Sequence, residues 1–312
     1  MEAVKLRHTD FLPRLFPPGR AGITAAWPAS RSAVFAALTT LVACCGCLSS
    51  DAVPPGDLER IQQAAPSQAP AKPSKPRSLL VFTLAKGYVH DATPWGVEAL
   101  RAIGEKTGAF SMVASDDPSV FERSSLERFD AVCFLNTCYT PFTNETLKAN
   151  LMGFVKSGKG YVGIHCAAHT FLDWPAFGQM QGAYSTNHPW IGPVTARVEE
   201  PEHPLMRCFA GPSFAVSDEI YQFGSPYSRR DLRVLMSLDT QQTDMNKKDI
   251  YRTDGDFALV WVRRFGQGRV FFSAFGHEKA IFWNPTILRH YLAGIQFAFG
   301  DLAADATPNP SR

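Results

Sequence analysis

The chain lacks most of the signatures that would name a chemistry outright. It has no Walker sequence, which excludes a phosphate cradle of that kind. A serine nucleophile has no G-x-S-x-G turn to sit on. The cysteines form neither a paired C-x-x-C zinc signature nor a dense disulfide framework. Cys44, Cys45 and Cys47 cluster near the amino end, while Cys133, Cys138, Cys166 and Cys208 are scattered. Charge of one sign is scarce too. The net charge is only +2, with no Lys/Arg stripe and no zinc-finger or helix-turn-helix spacing, so nucleic acid is not an expected partner. The apolar run Ala33–Ala43 is too short to cross a bilayer as a helix, which takes about 20 residues.

What is present suits a globular protein. Hydrophobic residues make up 45% of the chain, enough for a substantial core, and the 23 Phe and six Trp will dominate it. Residues 1–48 read as a leader, basic through Met1–Arg31 and then apolar. Leu41-Val42-Ala43-Cys44 resembles a bacterial lipobox, so the expectation is an exported chain, either periplasmic or an envelope lipoprotein held to the membrane by a lipid at Cys44. Residues 49–77, rich in Pro, Ala, Gln and Ser, read as a disordered tether. Residues 78–301 form the folded domain, and residues 302–312 a frayed tail.

Within the domain, short apolar runs alternate with helical patterns. Ser78–Leu84, Phe110–Ala114, Ala131–Leu135 and Tyr161–Ile164 read as strands. Thr93–Thr107 and Asn144–Ser157 read as helices, the first with Pro94 in its opening turn. This order predicts a parallel sheet with helices on both faces. Later come strand candidates at Val194–Val198, Ile220–Phe223 and Leu232–Leu238. Ala258–Arg264 and Arg269–Ala274 read as a hairpin, and Asn284–Phe299 as a terminal helix.

Chemistry is expected at the carboxyl ends of the parallel strands. Tyr161–Ile164 stops there, at His165-Cys166-Ala167-Ala168-His169. His90 follows the first strand and His277 follows Arg269–Ala274, so both are expected at the same edge. His188 lies in the loop Asn187-His188-Pro189-Trp190. Imidazoles titrate near neutrality and suit proton transfer. His165, His90 and the acid pair Asp218-Glu219 are therefore the candidate acid–base groups. His188 and His277 are candidates for substrate or metal contacts, and Trp174 and Trp190 for substrate contacts. His165 and His169, four apart, would share a face if the turn continued as an α-helix. With Glu219 they make a candidate set for a divalent metal, the one cofactor considered. Equally, His169 could bond backbone locally, Asp218-Glu219 could be a solvated strand end, and each Trp could be core. Cys166 sits one position past the elbow, which disfavours a cysteine nucleophile.

Taken in order, several segments resemble the ThuA-like family, the trehalose-utilisation proteins of the class I glutamine-amidotransferase-like superfamily. They are Val81-Phe82-Thr83, Tyr88-Val89-His90-Asp91, Phe129–Val132, Leu135-Asn136-Thr137, Gly158–His165, Asp173-Trp174-Pro175, Asn187-His188-Pro189, Glu202-His203-Pro204, Asp218–Tyr221, Gly266–Phe271 and Phe275-Gly276-His277. The resemblance spans Ser78 to Phe299. It implies a flavodoxin-like three-layer sandwich with a mainly parallel central sheet. It also implies histidine where the amidotransferases carry cysteine, and hence no amidotransferase chemistry. The implied role is in sugar catabolism, on a small carbohydrate, beside a sugar oxidoreductase that makes 3-keto-glycosides. Elimination, isomerisation or hydrolysis of such glycosides is the expected activity, and a non-catalytic sugar-binding lipoprotein is the alternative.

Overall fold

Ala131–Leu135 and Gly160–Ile164, at the centre of the sheet, are five-residue apolar runs buried on both faces and followed at once by a turn. The computed structural model describes residues 52–309. The expected leader, residues 1–48 with Cys44, lies outside them, as do residues 310–312. Among the described residues the chain runs α1 (Pro55–Ala64), β1 (Ser78–Phe82), α2 (Thr93–Thr107), β2 (Ser111–Ser115), a short α3 (Arg123–Leu126), β3 (Ala131–Leu135), α4 (Glu145–Lys156) and β4 (Gly160–Ile164). Then come α5 (Pro175–Gln181), β5 (Tyr184–Val198), β6 (Ser213–Gly224), β7 (Arg233–Leu238), β8 (Ala258–Phe265), β9 (Gly268–Ser273) and α6 (Pro285–Phe299). No described helix is long and apolar enough to cross a membrane.

The strands make one nine-stranded sheet in the order β2-β1-β3-β4-β9-β8-β7-β5-β6. From β2 to β9 every pairing is parallel. From β9 to β6 every pairing is antiparallel, beginning with the expected β8–β9 hairpin. Helices cover both faces of the parallel half. A Cβ on Gly160 would lie 2.6 Å from the Ala298 carbonyl oxygen, so α6 presses directly on that face of β4. The side chains of a strand alternate between faces. On the other face Tyr161 donates to Gln181 of α5 at 2.5 Å. The result is the three-layer α/β sandwich expected from the sequence.

Gly158, Gly160 and Gly163 do carry the G-x-G-x-x-G spacing of a dinucleotide fingerprint. In that fingerprint the glycines turn a strand into a helix. Here they lead α4 into β4, and Gly160 and Gly163 admit the Ala298 backbone and the Phe272 ring.

Two sequence expectations are corrected. Residues 55–64 of the presumed tether form α1, with Ile61 and Ala65 buried against the body. Asp57 accepts from Trp95 Nε1 at 3.0 Å, and Gln296 of α6 holds both the N–H and the carbonyl of Ala71. Arg77 and Asp301 close the strap with an ion pair at 2.5 Å. A Pro-rich composition with one useful isoleucine shows no period, but tertiary partners suffice to order it. The tail is also packed as far as Asn309. Ala306 is buried, Arg233 pairs with Asp305, and Asn309 bonds both backbone groups of Val234.

Two predictions follow from this packing. Ile61→Ala is expected to cost about 2–4 kcal/mol, as at a buried aliphatic site; chemical denaturation of the full chain measures it, and a true tether would show no loss. His290 is buried in α6 and burial pushes its imidazole down to about 4. Between that value and the ordinary value of about 6.5, the unfolded chain binds the extra proton, so stability falls as pH is lowered through this window. The slope is about 1.4 kcal/mol per pH unit for one such group. His290→Leu should flatten the acid limb of a stability–pH curve by that amount.

Candidate active site

The carboxyl ends of β1, β3, β4 and β9 lie side by side in the sheet, and the residues after them build the site. β4 ends abruptly at His165, whose φ of 51° is left-handed although it has a Cβ. A 3₁₀ turn, His165–His169, follows at once. The turn resembles a nucleophile elbow, with imidazole at its apex. His165 is wholly buried, and its Nδ1 lies 2.8 Å from the Ala274 carbonyl. That carbonyl fixes the tautomer: Nδ1 donates, leaving Nε2 as the acceptor. Tyr221 Oη approaches Nε2 at 3.1 Å, and a Glu219 oxygen stands 3.6 Å from it.

His90, after β1, packs against His165 with ring centroids 4.9 Å apart. His277, after β9, packs against both, at 5.2 Å from His90 and 5.4 Å from His165. One nitrogen each of His90, His165 and His277 and a Glu219 oxygen all lie within 4.8 Å of one another. His188, whose side chain is half exposed, places Nδ1 3.2 Å from the second Glu219 oxygen. Glu219 thus joins a buried imidazole floor to an imidazole at the mouth. Burial holds His90 and His165 neutral: it pushes His90 down to about 3, helped by His277 and His188, and lowers His165 well below its ordinary value. At neutral pH these rings are lone-pair donors and dipoles, not cations.

Asp218 plays a different part from its neighbour. Its two oxygens accept from the backbone N–H of Gly276, His277 and Glu278 at 2.7, 3.1 and 2.8 Å. Burial raises its carboxyl to about 7 against the opposing pull of these donors. The expectation that Asp218 carries protons to substrate is corrected, since its lone pairs are committed to shaping the loop that presents His277. Gly276 is needed in this loop; its φ is 142°, and a Cβ there would sit 3.0 Å from that of His165.

Other candidates lie elsewhere. His169 bonds Ser185 Oγ at 2.9 Å and takes no part in the cluster. The turn is 3₁₀ rather than α, so residues four apart do not share a face. Trp190 is buried on Phe257 and donates to the Asp244 carbonyl, which makes it core. Trp174 is packed on Phe171 and Phe177 at the start of α5. Cys166 lies beyond the elbow with its sulfur 3.3 Å from that of Cys138, and burial and this contact keep its thiol protonated.

Two residues were passed over. Tyr221 shares a strand face with Glu219 two positions earlier, a spacing that could have revealed it. Tyr88 is 56% exposed and stands at the mouth, with its ring 4.7 Å from His90 and stacked 6.4 Å from His277. Its only sequence signal is its place two residues before His90.

An α/β sandwich with a histidine elbow over an imidazole–carboxylate cluster is the class that fold and site define. The ThuA family model, described as trehalose utilisation, matches residues 78–298, and the chain belongs to that family. No functionally curated protein matches it. Among solved structures it is similar to a ThuA-like protein from Bacteroides uniformis, with TM-score 0.61, 22% identity, and 73% of this chain and 93% of that one covered. It is also similar to a ThuA-like protein from Parabacteroides merdae, with TM-score 0.54, 18% identity, and 74% and 93% covered. These likenesses show the fold. The family gives the chain a role related to trehalose utilisation.

Asp218→Asn is expected to cost about 1–3 kcal/mol, because an amide N–H₂ would face a backbone donor where a carboxylate oxygen now accepts. Denaturation of the purified full chain reads that loss. An unchanged midpoint would mean the loop after β9 holds its shape without the carboxylate.

Proposed function

We propose that the chain is an enzyme that cleaves or isomerises 3-keto-glycosides by acid–base chemistry at this cluster. The observation that carries the reading is Glu219, whose one carboxylate faces both the buried imidazoles and His188 at the mouth. A carboxylate bonded to Nδ1 of an imidazole orients the ring and leaves Nε2 as the base. His188 is accessible and so oriented, while His165 and His90 are buried. Proton transfer to substrate therefore falls to His188, with Glu219 as its positioning residue.

A ketone at C3 acidifies the C2–H bond. His188 Nε2 takes that proton, and the electron pair forms the C1–C2 double bond as the C1–O bond breaks. The departing glycosidic oxygen takes a proton back, and the free sugar leaves beside a 1,2-unsaturated 3-ketone. Atoms and electrons balance without an oxidant. Returning the proton through the enediol instead gives isomerisation. Negative charge develops on the C3 oxygen, where the Tyr221 hydroxyl offers a donor. The exposed ring of Tyr88 gives a sugar an apolar face to stack on. A sugar oxidoreductase would supply the ketone, and the leader expected over residues 1–48, with its lipobox-like Cys44, supports work at the cell envelope.

The test is product analysis with 3-keto-glycosides. The wild-type chain should release free sugar, and His188→Gln and Glu219→Gln should each lower kcat by roughly 10²–10⁴-fold. Tyr88→Ala should act mainly on KM. Saturable sugar binding with no product, or full turnover in both variants, would replace this reading with a non-catalytic sugar-binding protein.

A further inference from the structure

We propose that His90, His165, His277 and Glu219 form a binding site for one divalent transition-metal ion. The set differs from the one the H-x-x-x-H spacing suggests, because His169 is turned away to Ser185 and two other strand ends supply the missing imidazoles. The ion's role as electrophile for the C3 oxygen rests on the glycoside reading above. Its binding does not.

Three observations carry the site. The four donor atoms lie within 4.8 Å of one another. A metal about 2.1 Å from each donor needs pairs no farther apart than about 4.2 Å, so side-chain rotations of a few tenths of an ångström close the set. Next, the Nδ1 atoms of His90 and His277 are buried without a hydrogen-bond partner, and His90 as a whole is only 3% exposed. An unpaired buried nitrogen costs about 1–3 kcal/mol, and a cation bound by the cluster can relieve it. Finally, the groups behind the donors are arranged as behind metal ligands. The Ala274 carbonyl accepts a hydrogen bond from the Nδ1–H of His165 and so aims the Nε2 lone pair inward. Asp218 fixes the backbone that presents His277.

The donor chemistry narrows the ion. Three imidazoles and one carboxylate, with no thiolate in the set, favour zinc, cobalt, nickel, iron or manganese over calcium, magnesium or a copper(I) site. The Tyr221 hydroxyl must yield His165 Nε2 when the ion binds. Tyr221→Phe therefore removes a competitor and should leave metal uptake intact, whereas the ligand variants should lose it.

The experiment uses the full chain without a histidine tag, stripped with a chelator and titrated with Zn²⁺ and with Co²⁺. One equivalent should bind, and the Co²⁺ form should show visible bands of a four- or five-coordinate nitrogen/oxygen site. His90→Ala, His277→Ala and Glu219→Gln should each weaken uptake by roughly 100-fold or more, while His169→Ala and Tyr221→Phe leave it unchanged. No uptake by the wild type, or equal uptake by every variant, overturns the site. If the ligand variants do not fold, the wild-type Co²⁺ spectrum decides: thiolate charge-transfer bands or a hexa-aquo-like spectrum would overturn it. No substrate is present, so metal binding and glycoside turnover fail separately.

Discussion

The constraint on which the site depends is the left-handed backbone at His165. For a residue with a Cβ this conformation costs about 1–2 kcal/mol, and it persists only where the surroundings over-determine it. They do so here from three sides. The Ala274 carbonyl grips the ring, Gly276 packs against its Cβ, and the 3₁₀ turn begins immediately after. A relaxed turn would carry the imidazole away from the ends of β1 and β9. The strain thus buys convergence: one abrupt turn brings residues 90, 165 and 277 into ring contact across most of the chain's length.

Neutral imidazoles in contact are useful only if their neighbours keep them so. Burial lowers both His90 and His165, and the single carboxylate facing them also has His188 as a partner. A second free carboxylate would stabilise imidazolium and turn the cluster into a salt-bridge network. Asp218 is the nearest in sequence, and three backbone N–H groups occupy it. The same acid that shapes the loop is thereby withheld from the rings.

The parallel half of the fold was legible because buried strands of a parallel sheet read as continuous apolar runs with turns at their ends. Strand ends then predicted that His90, His165 and His277 would gather. The antiparallel half was harder. β5 extends from Tyr184 to Val198, yet Pro189 and Pro193 interrupt its pattern, and only Val194–Val198 stood out as strand. Those prolines are tolerated because β7 pairs with β5 only at Ala196–Val198, so neither Pro189 nor Pro193 has to donate to that ladder. His169 misled because H-x-x-x-H spacing carries meaning only on an α-helix. α1 was invisible for a different reason: it is ordered by Trp95 and the body it packs on, and nothing local in its sequence announces either.

The elbow also disfavours thiol chemistry at this edge. A nucleophile must stand at the apex of the turn, exposed and activated. The apex is His165, fully enclosed, and the nearest thiol follows it into the 3₁₀ turn against Cys138. The hydrogen bond to Cys138, together with burial, raises the Cys166 thiol rather than lowering it, so thiolate is withheld. What remains at the apex is a lone pair in a dry floor, backed by a carbonyl and faced by a carboxylate. Such a group holds a cation or a dipole far better than it attacks a carbonyl, so the apex of this turn is not built to form an acyl-enzyme.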